Sequence, residues 1–190
     1  MSKLKVLEIR TSESLKSHGT RRGLGKPSAR LNILTKAGIA QYPLFSDNKI
    51  WSFYVLNQLG YSSFVKPVSE NEKFKVKSKM TVKAVKLSDI LNLHNIDCNF
   101  LTLDVRGYGV NVLLGGSSNI KKDFAGVELF DFVDKQYAYG KNADASANFL
   151  EKAGFSKAIE DLYDDANGIA MKRMVYVKDG MGVDLKSILK

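Results

Sequence analysis

Asp104 is the side chain of this sequence that is best placed for chemistry, because it directly follows the short apolar run Phe100–Leu103. Such a run, closed by a carboxylate and then by glycines at 107 and 109, predicts a buried strand that ends in a turn. Ligands of open α/β sheets bind outside the carboxyl ends of the strands. A carboxylate there can accept a proton or hold a substrate hydroxyl. The alternative is that Asp104 only caps a helix predicted at Val110–Leu114.

The stretch FLTLDVRGYGVNVLLGG, residues 100–116, resembles the signature of FkbM-type methyltransferases, which use S-adenosylmethionine (SAM). That family typically reads F-L-K-I-D-V-E-G-x-E-x-x-V-L-x-G at this point. The positions that agree are Phe100, Leu101, Asp104, Val105, Gly107, Val112, Leu113 and Gly115. Three departures change the chemistry, because Thr102 replaces a lysine and both Arg106 and Gly109 replace glutamates.

The resemblance extends over residues 38–177. GIAQYPLFSDNKIWSFYVLNQLGYSSFVKP resembles the family's passage through a strand, a β-hairpin and a short serine turn. Glu128 lies where the family has the glutamate of a later strand, and FLEKAGF resembles the family's F-L-x-x-x-G-F. Residues 155–163 and 170–177 predict a terminal hairpin, which is the strand reversal that marks methyltransferase sheets.

The resemblance implies an α/β, Rossmann-like SAM-dependent methyltransferase fold with an inserted β-hairpin. It further implies O-methyl transfer from SAM to a hydroxyl of a sugar or another small metabolite. Asp104 is the expected catalytic residue, which accepts the proton or holds the acceptor hydroxyl. Arg106 is the expected substrate-binding residue, and we expect it to pair with Asp104 and lower the pKa of that carboxyl. Asp47, Ser62 and Ser63 are the residues expected to lie at the cofactor.

The cofactor-binding half is incomplete in the sequence. Family members have a glycine-rich D-x-G-x-x-x-G loop after the first strand and an acidic residue after the second, and neither is found here. Residues 9–42 are too few for the usual strand–helix–strand–helix–strand passage. Either the first half of the nucleotide-binding domain has been lost, or a second chain completes the cofactor site. A non-catalytic, methyltransferase-like binding module is therefore an alternative function.

At 190 residues the chain is expected to form a single domain, residues 1–190. Residues 1–37 are a divergent basic segment, 38–177 the family-like region and 178–190 a tail. No apolar run approaches the roughly 18 residues of a membrane span, so a cytoplasmic protein without a membrane partner is expected. One cysteine, Cys98, and two separated histidines, His18 and His94, predict no disulfide and no metal site.

The net charge of +9 is unevenly distributed. Residues 1–86 carry 17 Lys/Arg against 5 Asp/Glu, and residues 87–190 carry 12 against 15. This asymmetry favours either an anionic partner, including nucleic acid, or a solvated basic face. In Glu70–Lys86 lysines alternate with apolar residues, which predicts a strand whose lysines protect a sheet edge or bind an anion. A base-stacking platform requires aromatic residues interleaved with the basic ones, and this stretch offers only Phe74.

Overall fold

The computed structural model describes residues 6–10, 31–35, 38–58, 61–68, 71–72, 74–134 and 142–181. Within these ranges the strands are β1 (Val6–Arg10), β2 (Leu31–Thr35), β3 (Gly38–Tyr42), β4 (Ile50–Leu56), β5 (Val76–Lys83), β6 (Phe100–Asp104), β7 (Gly126–Phe132), β8 (Phe155–Asp164) and β9 (Ala170–Lys178). The helices are α1 (Leu87–Leu93), α2 (Gly109–Gly115), α3 (Ser117–Asp123) and α4 (Asn142–Lys152). Most of the divergent basic segment and of the predicted tail lies outside the described residues.

Seven of the strands form one mixed sheet, in the order β3-β2-β1-β6-β7-β9-β8. Strands β1, β6 and β7 run parallel, and their apolar side chains Leu101, Leu103, Val127 and Leu129 belong to the core. Strand β9 runs antiparallel between β7 and β8. The α/β class and the terminal hairpin predicted from the sequence are therefore present.

The first part of the sheet is built without a crossover between β2 and β3. Strand β2 is antiparallel to β1, and β3 is antiparallel to β2. Only residues 36 and 37 separate β2 from β3. A connection between parallel strands takes a dozen or more residues, so this short link permits only an antiparallel pair.

Helix α2 contacts α1, α3 and α4, and α4 in turn packs against β7 and β8. The buried side chains of the helices include Leu87, Ile90, Leu91, Val112, Leu113, Ile120 and Leu150. Because successive side chains of a strand point to opposite faces, the apolar core side chains Leu101 and Leu103 lie on one face of β6. The same alternation puts Thr102 and Asp104 on the other face.

Strands β4 and β5 form a separate two-stranded sheet, which is the hairpin expected from the sequence. The segments that enter and leave the hairpin pair with each other through a parallel bridge between Leu44 and Val85. The entering segment also packs through Phe45, whose ring lies 5.3 Å from that of Phe64 and 6.4 Å from that of Tyr108. Across the described ranges, no helix has both the length and the apolar character needed to span a membrane.

Candidate functional site

The candidate site lies between β1 and β6, where the strands that follow along the chain change from one side of β1 to the other. From β1 the sheet continues to β2 and β3 on one side and to β6 and β7 on the other. Strands β1 and β6 are parallel, and Asp104, the last residue of β6, is in register with Arg10, the last residue of β1. In open α/β sheets, ligands bind in the crevice at such a switch point, outside the carboxyl ends of the strands.

Asp104 and Arg106 form an ion pair at this edge, as expected from the sequence. Nε of Arg106 lies 3.2 Å from Oδ1 of Asp104, and the two side chains are 13% and 12% exposed. The backbone turns sharply here, because Arg106 has a φ of 47° and Gly107 a φ of 85°. This left-handed turn returns the Arg106 side chain toward the strand that it follows.

Aromatic side chains enclose the Arg106 guanidinium. Its carbon lies 5.6 Å from the centre of the Tyr61 ring and 5.8 Å from that of Phe132. Its Nη1 lies 3.6 Å from Sδ of Met171. Cation–π attraction is strengthened when water is excluded, so these faces fix the guanidinium beside Asp104.

Tyr61 connects the hairpin region to the turn between β8 and β9. Its hydroxyl donates a hydrogen bond to the Asp165 carboxylate and accepts one from Nδ2 of Asn167 at 2.9 Å. Burial and the adjacent Asp165 raise the pKa of Tyr61, which keeps its hydroxyl protonated. The sequence predicts the turn at 164–168 but gives no signal that it contacts Tyr61.

Asp165 is the acceptor at the centre of that turn. Oδ1 of Asp165 accepts hydrogen bonds from the backbone N–H groups of Asn167 at 2.9 Å and Ile169 at 3.0 Å. Burial acts to raise the pKa of Asp165, but the hydrogen bonds from Tyr61 and these two N–H groups outweigh burial and leave the pKa below its usual value. The carboxylate form therefore holds the turn against Tyr61.

Ser62 and Ser63 are buried, and their hydroxyl groups hold local structure. Oγ of Ser62 accepts a hydrogen bond from the N–H of Leu56 at 3.0 Å. Oγ of Ser63 donates to the carbonyl oxygen of Arg106 at 2.8 Å and accepts from the N–H of Val65 at 3.1 Å. Ser63 thus fixes the turn that follows Asp104, while the cofactor role of both serines stays a prediction.

Asp47 forms its contacts within its own turn at the start of the hairpin. Its Oδ1 accepts hydrogen bonds from Nε1 of Trp51 at 2.7 Å and from the N–H of Lys49 at 3.2 Å. The hydrogen bonds from Trp51 and Lys49 hold the pKa of Asp47 below its usual value, against the effect of burial. These contacts stabilise the turn, and the cofactor role expected for Asp47 stays a prediction.

Asp131 is a second carboxyl group near this edge that the sequence did not single out. It precedes Phe132, the last residue of β7, and its Oδ1 accepts a hydrogen bond from the Phe132 N–H at 2.9 Å. Burial raises the pKa of Asp131 to about 6, although that hydrogen bond and the cations Lys172 and Arg106 act to lower it. The negative charge of Asp104 also acts to raise the pKa of Asp131.

A row of polar side chains crosses four strands on the face that carries Asp104. Oγ1 of Thr102 donates to Oε2 of Glu128 at 2.9 Å, and Nε of Arg173 donates to Oε1 of Glu128 at 2.7 Å. Nη1 of Arg173 lies 3.5 Å from Oδ2 of Asp161. In the sequence, Glu128 was indicated only by the resemblance to the family. The row of polar side chains could not be predicted, because it depends on the register between strands.

The interpretation of Asp104 as a helix cap is wrong. Helix α2 begins at Gly109, its N-cap residue is Tyr108, and no side chain makes a capping hydrogen bond there. Asp104 is instead paired with Arg106.

A cleft of about 300 Å³ lies beyond the amino end of β6, away from Asp104. It is lined by Leu91, Ile96, Asp97, Cys98, Asn99, Asn119, Asp123 and Phe124. Burial raises the pKa of the Cys98 thiol to about 12, so the thiol stays protonated and unreactive. In the part of the chain that the structure describes, no three His, Cys, Asp or Glu side chains are grouped as a metal site.

No protein-family model, no curated protein and no solved structure matches this chain.

Proposed function

We propose that this chain is a methyltransferase of the FkbM type, which transfers a methyl group from SAM to a hydroxyl of a sugar or small metabolite. One observation carries the proposal. Asp104, the carboxylate of the FkbM-like stretch, ends the central strand β6 beside the switch point between β1 and β6. This is the position at which an open α/β sheet binds a nucleotide-containing ligand.

The strand order supports the same fold. The five strands β3-β2-β1-β6-β7 follow the order 3-2-1-4-5 of doubly wound nucleotide-binding sheets. The antiparallel strand β9 then lies between β7 and β8, which is the reversal expected of a methyltransferase sheet. The antiparallel direction of β2 is the departure from that pattern.

Asp104 has the central role in this proposal. Its carboxylate accepts the hydrogen bond of the acceptor hydroxyl and takes the proton as the oxygen forms its new bond to carbon. Arg106 compensates the charge of the carboxylate and fixes its direction from 3.2 Å. The rings of Tyr61 and Phe132 shield the pair from water, which strengthens electrostatic interactions within it.

The side chains at this edge fit part of the cofactor. SAM, when bound, supplies a methyl group on a positively charged sulfur. The carboxyl groups of Asp104 and Asp131 complement such a charge, because each carries the opposite sign when ionised. The hydroxyl of Ser62 accepts a hydrogen bond from the N–H of Leu56. The hydroxyl of Ser63 already donates to Arg106.

A second function, a methyltransferase-like module that does not transfer methyl groups, is favoured by one specific observation. Arg106 stands where the family has a glutamate, and its guanidinium is paired with Asp104 inside an aromatic enclosure. A carboxylate held in such a pair is a weaker proton acceptor than a solvated one. In this second function the pair only stabilises the fold.

Calorimetric titration of the purified chain with SAM distinguishes the two functions. The proposal expects saturable binding, together with release of S-adenosylhomocysteine when sugars are supplied as acceptors. Asp104→Ala should abolish the release and leave SAM binding measurable. Asp97→Ala is the matched control, because Asp97 is an exposed carboxylate at the opposite end of β6 and should leave both measurements unchanged.

The two functions also predict different SAM binding by Arg106→Glu, a variant that restores the residue typical of the family. If the unaltered chain binds no SAM while Arg106→Glu does, the Arg106 pair closes the site and the non-catalytic module is supported. If neither protein binds SAM, methyl transfer by this chain alone is excluded.

A further inference from the structure

We propose that the outer face of the β4–β5 hairpin binds single-stranded nucleic acid. This basic face consists of Lys79, Thr81 and Lys83 on β5 with Ser52 and Tyr54 on β4, together with Lys77, an exposed residue at the β-bulge next to them. The inference goes beyond methyl transfer and does not require it, because it depends only on the charge and geometry of the hairpin.

Strand alternation and register bring these side chains to one side of the hairpin. Side chains at every second position of a strand share a face. The register pairs Lys79 with Tyr54 and Thr81 with Ser52, so these four share the outer face. Phe53, between Ser52 and Tyr54, is 4% exposed and packs into the core. The hairpin therefore has an apolar inner face and a polar outer face.

The charge of the basic face is not compensated within the hairpin. Neither β4 nor β5 contains an acidic residue. Lys77, Lys79 and Lys83 are exposed, and no ion pair involves them among the described residues. Lys79 instead places its Nζ 5.9 Å from the centre of the Tyr54 ring. Such a surface attracts a polyanion and releases counterions on binding.

The spacing of the cations suits an extended chain of phosphates. Alternate residues of a strand are about 6.6 Å apart, so Lys77 to Lys83 spans about 20 Å. Along that span the hydroxyl of Thr81 lies between Lys79 and Lys83, and the hydroxyl of Ser52 lies opposite that of Thr81. Ammonium and hydroxyl groups are both donors to phosphate oxygens.

The aromatic ring on this face favours a single strand over a duplex. Tyr54 is half-buried and lies in the middle of the basic face. Unstacked bases of single strands bind to aromatic rings, whereas duplex bases are already stacked. A lipid surface is a poorer match, because membrane-binding faces combine lysines with several apolar side chains. Of the described residues on this side, only Ile50, which is 69% exposed, is a large exposed apolar residue.

Fluorescence anisotropy with labelled single-stranded RNA and DNA of about 15 nucleotides tests the inference, since this length matches a typical binding site. The test variant is Lys77→Gln/Lys79→Gln/Lys83→Gln. The matched control is Lys121→Gln/Lys122→Gln/Lys152→Gln, which removes the same charge from exposed positions on α3 and α4. Circular dichroism establishes that both variants are folded.

The affinity of the unaltered chain should fall as the salt concentration rises. The slope of the logarithm of the binding constant against the logarithm of the salt concentration should include about −2 from the three lysines. The test variant should then bind about a hundredfold more weakly at roughly 0.1 M salt, because each lysine contributes about fivefold under these conditions. The control variant should retain most of the affinity. Tyr54→Leu should lower affinity for single strands about tenfold through lost stacking.

Three results would overturn the inference. One is the absence of binding by the unaltered chain at low salt. Another is an equal loss of affinity in the test and control variants, which indicates attraction by net charge alone. The third is binding of duplex DNA, of a sulfated polysaccharide or of anionic lipid vesicles as tightly as the single strands, since the surface would then have no preference for exposed bases.

Discussion

Arg106 and Asp104 lie two positions apart in the chain, and Nε of the first is 3.2 Å from Oδ1 of the second. Both side chains are nearly nine-tenths buried, and the Tyr61 and Phe132 rings cover the guanidinium. For such a pair the cost of removing two charges from water offsets much of their attraction. Replacing one partner should therefore lower the free energy of unfolding more than replacing both.

Arg106→Gln should lower the free energy of unfolding by about 3 kcal/mol, because it leaves the Asp104 carboxylate buried without its cation. Urea unfolding at neutral pH measures the change. Asp104→Asn/Arg106→Gln should recover part of the loss, since it removes the uncompensated charge. A double variant less stable than Arg106→Gln would contradict this account.

Tyr61→Phe should lower the free energy of unfolding by about 1 kcal/mol, because it removes the hydroxyl that bonds to Asp165 and Asn167. The Tyr61 bond contributes to the lowered pKa of Asp165, so its stabilisation is present above the usual carboxyl pKa of 3.8. The difference between the two proteins should thus shrink as the pH falls below that value. Urea unfolding at several pH values checks this. Tyr54→Phe, whose hydroxyl has no described hydrogen bond, should show neither effect.

Asp131→Asn should stabilise the protein at neutral pH and have little effect in acid. Burial raises the pKa of Asp131 from 3.8 to about 6, so the native state disfavours the ionised form. The resulting cost appears as the pH rises through this window and is complete above about 6. A gain of up to about 3 kcal/mol is expected in urea unfolding above the window, since the shift is about two pKa units and each unit corresponds to about 1.4 kcal/mol. An equal gain at every pH would show that titration is not the cause.

Gly115→Ala should destabilise the protein by about 2 kcal/mol or more, as overpacking does. An added Cβ would lie 2.3 Å from the carbonyl oxygen of Phe45, which is backbone and cannot rotate away. Gly109→Ala is the matched control in the same helix, because its Cβ would lie 3.5 Å from Oγ of Ser146. Thermal unfolding of both variants makes the comparison. Equal stability of the two would show that the hairpin does not pack closely on α2.

Local patterns in the sequence predicted the elements that carry the candidate site. The apolar run before Asp104 forms β6, the aromatic run at 50–56 forms β4, and the turn residues between 164 and 168 separate β8 from β9. The pair of Asp104 with Arg106 was predictable because both residues belong to one turn. The alternative interpretation of Asp104 as a helix cap was wrong because the chain passes through Arg106 and Gly107, both with positive φ, before the helix starts.

Contacts between distant residues were decided by the tertiary structure alone. Tyr61 and Asp165 are 104 positions apart, and only the packing of the hairpin region against the β8–β9 turn joins them. Along Glu70–Lys86 the sequence contains only one aromatic residue, Phe74, and it is the register of β4 on β5 that places Tyr54 opposite Lys79. Sequence periodicity determines which face of a strand a side chain occupies. The partner across the sheet depends on register and on the order of the strands, which arise only when the whole chain has packed.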